Sequence, residues 1–335
     1  MYAKTRSWLT RSALALTLVS GCTLQKKDDA DEFRDAVPAA ESIALSGPDA
    51  ASGSTTAAGA GPSRRTLATG PAPTQYAKWY GFTRQMRDGV NKITAGVLGA
   101  VWLVIHSEPS AVTADSATWG PWHDELNPAT YRFRVTRVAT DEYDYVLEGR
   151  SKSSSADADY QAVLTGHGFG KPSEKRGQGS FQIDLDEAKA LDPFDNQDNS
   201  GTVSIDHELP RDFSDNLGAL PRTITATVMP QGESHYSVES QANVDYTGSI
   251  QVTAHVDIDD SKQTKLEDVV IDSRWKASGA GRADIHISGG DIPESIAEVD
   301  AVECWGTDFT QSYYSDSASL APTVGDANAC VYTSP

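Results

Sequence analysis

The chain is short of cysteine, of methionine and of positive charge. Its 335 residues include three cysteines, three methionines and seven histidines, and 28 lysines and arginines face 47 acidic side chains. A formal charge of −19 repels phosphate backbones and anionic lipid surfaces, so neither is expected as an electrostatic partner, and no nucleic acid is expected at all. The histidines, at positions 106, 123, 167, 207, 235, 255 and 286, never fall at the i, i+2 or i, i+4 spacing that aims two imidazoles at one metal. Neither HExxH nor GxSxG occurs, and no repeat of fixed length emerges that would mark a propeller or solenoid. With no catalytic motif, neither an enzyme nor a cofactor is expected.

The N-terminus does contain a leader. Lys4, Arg6 and Arg11 precede an apolar stretch from Ser12 to Val19 that ends in small residues, which is a signal-peptide layout. Its core is far shorter than the roughly 20 residues a helix needs to cross hydrocarbon, so cleavage is expected. The ending Leu18-Val19-Ser20-Gly21-Cys22 resembles the lipobox of bacterial lipoproteins. That resemblance covers the leader alone. It implies a diacylated thiol at Cys22, cleavage after residue 21 and an acylated new amine, with palmitate among the chains, so that the membrane is a partner through N-terminal lipid. Two or more acyl chains anchor stably, where one would hold only marginally. Thr23, standing where aspartate would retain such a protein in the inner membrane, implies the cell outer membrane, with the body facing the periplasm or the cell surface. Loss of the three leader cations leaves 25 basic residues against 47 acidic ones.

Cys304 and Cys330 then remain. In an oxidising compartment their expected use is a disulfide. Closing a loop of about 26 residues stabilises by roughly 3 to 4 kcal/mol on the chain-entropy estimate. Residues 22–75 differ from the rest: Lys26 to Asp35 is dense in charge, and Ala36 to Pro73 is mostly small and polar. Such a stretch offers little to bury. It is expected to be a disordered tether of about 50 residues with a mean span of roughly 40 Å. The expected organisation is therefore a signal peptide at 1–21, the lipidated cysteine and tether at 22–75, and one β-rich globular domain at 76–335.

Order is expected to begin near Tyr76. Phe82, Met86, Val90, Ile93, Val97, Val101 and Ile105 recur at intervals of four and three, predicting one long helix from 80 to 105. Its second half, with Leu98, Trp102, Leu103 and Val104, is apolar all round, which predicts enclosure. Trp119-Gly120-Pro121-Trp122 predicts a turn. From Thr130 the period changes to two: Tyr131, Phe133 and Val135, then Tyr143, Tyr145 and Leu147, and most clearly Ile250, Val252, Ala254, Val256 and Ile258. Clean alternation over many segments predicts antiparallel strands with one dry face. The fold class is mainly β (α+β), a large curved sheet of about 10–12 strands packed on the long N-terminal helix. A short helix is expected at Asp186 to Leu191.

In order and pattern, a curved sheet on one helix over residues 80–300 is similar to the half-barrel of periplasmic lipoprotein carriers, which implies a lipid held between helix and sheet. The blocks Ser273-Arg274-Trp275, Gly279-Ala280-Gly281-Arg282-Ala283-Asp284, Gly289-Gly290-Asp291 and Glu303-Cys304-Trp305 resemble an uncharacterised group of Gram-negative lipoproteins, to which no activity attaches.

Candidate sites are few. Asp192, Asp195 and Asp198, with Asn199, form an acidic loop that could offer oxygens to calcium, and Asp257, Asp259 and Asp260 form a weaker one; neither has the EF-hand glycine or glutamate. Gly166-His167-Gly168-Phe169-Gly170-Lys171 leads into Pro172 and not into a helix, so it is expected to be a strand-end loop without a phosphate site. Asp206 and Glu208 are expected to be solvent-facing charge, as are His255 and His286 beside Asp257 and Asp284, while His207 is expected to be a hydrogen-bonded core histidine. Three functions stay open: a non-enzymatic structural or binding lipoprotein with an envelope partner, a carrier of a lipid or other apolar ligand, and an enzyme of unknown chemistry.

Overall fold

The computed structural model describes residues 30–48, 75–122, 125, 127–194, 200–210, 221–258 and 265–333. Cys22 lies outside them. Alternation of apolar and polar side chains yields one antiparallel sheet of fifteen strands, each paired with its neighbours in sequence and left open at its two ends. The strands are β1 (Ala111–Val112), β2 (Ser116–Trp122), β3 (Ala129–Ala139), β4 (Glu142–Ser151), β5 (Gln161–Lys171), β6 (Arg176–Asp184), β7 (Thr202–Glu208) and β8 (Arg222–Met229), followed by β9 (His235–Ala242), β10 (Gly248–Val256), β11 (Glu267–Trp275), β12 (Gly281–Gly289), β13 (Glu298–Trp305), β14 (Gln311–Asp316) and β15 (Val324–Gly325). Ile250, Val252 and Ala254 of β10 are buried while Gln251 and Thr253 face out, and β11 repeats the pattern with Val269 and Ile271. Fifteen strands exceed the expected 10–12. Two of them are two-residue edges, and β5 hides its period behind glycines. The expected turn at Trp119 to Trp122 is part of β2 instead, with its proline at a register shift against β3, the position a sheet allows proline.

Glycine and aromatic residues share the dry face as cross-strand pairs. Tyr145 lies opposite Gly166, Trp275 opposite Gly248 and Trp305 opposite Gly281. A Cβ at Gly166 would sit 2.3 Å from the Tyr145 ring. The rings thus lie flat over glycine backbone, a device that permits curvature while keeping the layer filled.

One long helix, α2 (Lys78–Ile105), packs on this face. Its buried side is Trp79, Tyr80, Thr83, Arg87, Val90, Thr94, Leu98, Val101 and Ile105, rotated from the expected stripe because three polar residues face inward. Phe82, Met86, Ile93 and Val97 are only partly buried. The second half is not enclosed either: Trp102 is 49 % and Leu103 68 % exposed. By length and composition α2 is apolar enough to cross a membrane, yet its inner face belongs to the core. Tyr80 stacks between Trp305 and Phe309 at 4.9 and 5.1 Å. The helix start is tied to β13 by Glu303, which is fully buried and accepts the N–H groups of Lys78, Trp79 and Tyr80 at 2.7, 2.8 and 3.0 Å and the Gln311 amide at 2.8 Å. A remote carboxylate thereby caps the first turn, where orphan donors and the dipole favour negative charge.

The expectation of a tether fails for residues 30–48. A short helix, α1 (Asp31–Asp35), and the irregular chain after it bury Phe33, Val37, Ile43 and Leu45 in the same core. Arg34 donates to the carbonyls of Ile105 and Ser107. Asn91 of α2 exchanges two hydrogen bonds with the Leu45 backbone. Arg222 donates to the Glu41 and Ser42 carbonyls and the Ser46 hydroxyl, and burial lowers its pKa to about 10. The stretch fills the core beside α2 instead of leaving it. Composition concealed this because four large apolar residues are spread thinly without a period.

Candidate functional site

The Cys304–Cys330 disulfide forms, tying β13 to the C-terminal segment. Of the expected calcium loop, Asp195, Asp198 and Asn199 lie outside the described residues, as do Asp259 and Asp260 of the weaker one. Asp192 is buried and already engaged: one oxygen accepts the Asn127 amide at 3.2 Å and the other the Phe194 N–H at 3.1 Å. No group of three metal-ligating side chains occurs among the described residues. His255 and His286 are not merely solvated, since each meets an aspartate of the next strand through Nδ1, Asp268 at 2.8 Å and Asp300 at 2.9 Å.

A concentration of polar groups lies on the outward face of β3 to β7. There an open groove of about 730 Å³ is lined by Arg134, Thr136, Asp144, Thr165, His167, Ser180, Gln182, Ser204 and Asp206. A second depression of about 410 Å³ continues from it past Glu142, Phe169, Gln178, Glu208 and Thr223. Strand register builds both. Thr136, Asp144, His167, Ser180 and Asp206 lie directly opposite one another on five successive strands. Arg134, Val146, Thr165, Gln182 and Ser204 form the row beside it. The glycine-rich run expected to be a loop is the end of β5 itself. Gly166 and Gly168 face the core, and a Cβ at Gly168 would come within 2.8 Å of the Ala36 carbonyl. The missing side chain at Gly168 lets β5 approach the backbone of residues 30–48, while β6 fills its inner face with Phe181 and Ile183.

His167 sits at the centre. Its Nδ1 is 2.8 Å from Asp144, and its Nε2 is 4.0 Å from Glu142. No hydrogen bond joins it to Ser180 among the described residues, so Asp144, His167 and Ser180 share a row without forming a relay. Phe169 is 43 % exposed at the margin. Beneath the floor, His207 points into the core at 4 % exposure, and neither ring nitrogen has a hydrogen-bond partner among the described residues, contrary to the bonded histidine expected. Burial lowers its pKa to about 4, so it is neutral at physiological pH. The groove could not be read from the sequence, because only register brings Asp144, His167 and Asp206 together.

The groove offers donors and acceptors in several directions, planar carboxylate, amide and guanidinium groups and one exposed ring. That set can hydrogen-bond a polar, hydroxyl-bearing ligand, with Val146 and Phe169 offering apolar contact. No protein-family model matches the chain, no curated protein matches it, and no solved structure matches its fold.

Proposed function

We propose that this chain is a lipid-anchored cell-envelope protein, attached through Cys22 to the outer membrane, whose outward β3–β7 face binds a hydroxyl-rich ligand such as an envelope glycan without transforming it. The observation that carries the reading is the groove on the polar face, with Asp144, His167 and Asp206 in one row. The alternative, an apolar ligand between helix and sheet, is less favoured because Phe33, Val37, Ile43 and Leu45 already occupy that core with α2. The anchor reading is supported by the Leu18 to Cys22 sequence.

Titration calorimetry of the Cys22→Ser protein against neutral and acidic oligosaccharides tests the binding role. At least one oligosaccharide should bind with millimolar or better affinity, and Asp206→Ala should weaken it about tenfold, the order expected for one lost hydrogen bond to a charged group. Silence across the panel, or affinity unchanged in both Asp206→Ala and His167→Ala, would sink the proposal.

A further inference from the structure

The packing of residues 30–48 changes what an anchor at Cys22 would do. Ala30 is buried at the start of α1, so only eight peptide steps separate the modified residue from the folded body. Even fully extended they reach about 28 Å, so an anchored body is held within that distance of the bilayer. The side from which this segment leaves the body is defined by its contacts. Arg34 donates to the carbonyls of Ile105 and Ser107 at the end of α2, and Glu32 pairs with Arg137 of β3. Next to these points of attachment the protein exposes large apolar side chains: Trp102 and Leu103 on the last turn of the helix, and Val138 beside Arg137, 51 % exposed. The His106 ring stacks on Trp102 at 4.1 Å and its Nδ1 meets the Trp102 carbonyl at 2.8 Å, giving an amphipathic pair of the kind that sits at headgroup level.

We propose that the C-terminal turn of α2, with Trp102 and Leu103, together with Val138 forms a membrane-contacting face that docks the anchored protein on a neutral lipid surface. The net negative charge leaves apolar insertion, not attraction to anionic lipid, as the driving force. Trp102 and Leu103 line neither depression, and Val138 lies on β3 beyond the groove-lining Thr136. The inference rests on the anchor reading for Cys22.

A nitroxide label tests it on the full mature chain in phosphatidylcholine vesicles. Cys22 is acylated and Cys304 is bonded to Cys330, so Leu103→Cys supplies the single free thiol; Val138→Cys is the second position should the first perturb folding, and Thr253→Cys on the outward face of β10 is the reference. Labels at 103 and 138 should collide severalfold more with oxygen than with an aqueous nickel complex, and the label at 253 should do the reverse. An acylated chain in which 103 and 138 are as open to nickel as 253 overturns the docking face alone. A mature chain whose intact mass lacks the acyl groups overturns the anchor reading and the docking face with it.

Discussion

Replacing Glu303 is the perturbation from which the packing of helix on sheet has most to lose. The side chain is fully buried, and its two oxygens take three amide N–H groups of the first helical turn and one from Gln311. Burial pushes the carboxyl above its ordinary range even though those four donors pull it down. Glu303→Ala leaves the donors without acceptors in a dry site. Each orphaned donor costs about 1–3 kcal/mol, and breaking a buried charged arrangement on one side costs about 3–5 kcal/mol. Part of that is recovered because desolvation of the charge is no longer required, so a loss of about 3–4 kcal/mol is expected. Glu303→Gln keeps one acceptor oxygen but loses the charge facing the helix dipole, and should cost about 1–2 kcal/mol. Urea unfolding followed by tryptophan fluorescence reads both as shifts in midpoint at constant slope. A cost under about 1 kcal/mol for alanine, or one for glutamine equal to that for alanine, would show that the Glu303 carboxylate does not hold the helix start.

Other consequences can be measured separately. The depressed pKa of His207 means that the unfolded chain takes up its proton first as pH falls, so stability is unaffected above about 6.5 and is lost between about 6.5 and 4, up to about 3 kcal/mol in all. His207→Leu should flatten that part of the stability profile, and an unchanged acid limb would contradict it. Arg222→Ala removes the donors that hold residues 41–46 and should cost about 2 kcal/mol, with faster hydrogen exchange at Ser42 and Ser46 while β10 amides keep their protection; uniform exchange across the sheet would show that the segment is not held locally. Reduction of Cys304–Cys330 should lower stability by about 3–4 kcal/mol on the chain-entropy estimate for a separation of 26 residues. An unchanged melting temperature on reduction would count against that cross-link.

The parts of the fold that could be read from sequence are those where one face of an element is uniformly apolar. β10 and β11 announce themselves because Ile250 to Ala254 and Val269 to Ile271 alternate without interruption. The helix is visible too, but its orientation is not: Thr83, Arg87 and Thr94 share the buried side, and a stripe drawn through apolar residues alone points elsewhere. β5 is hidden because its inner positions are glycines whose space is taken by Tyr145 and by the backbone of residues 30–48. Burial of Phe33 and Ile43 follows from contacts with distant elements, which no local period records. The groove depends on pairing between strands up to 26 residues apart, as in Ser180 opposite Asp206, which no window of sequence records.

The most direct test of the account is to locate ligands on the protein by chemical-shift mapping of the Cys22→Ser chain, with a bound oligosaccharide in one titration and lauric acid in another. Shifts confined to Thr165, Gln182, Ser204 and their neighbours with the oligosaccharide, and none at the methyls of Val90, Leu98 and Ile250 with the fatty acid, are the predicted result. Fatty-acid shifts at those core methyls, with the outward face silent to every sugar, would contradict it and place the ligand between helix and sheet.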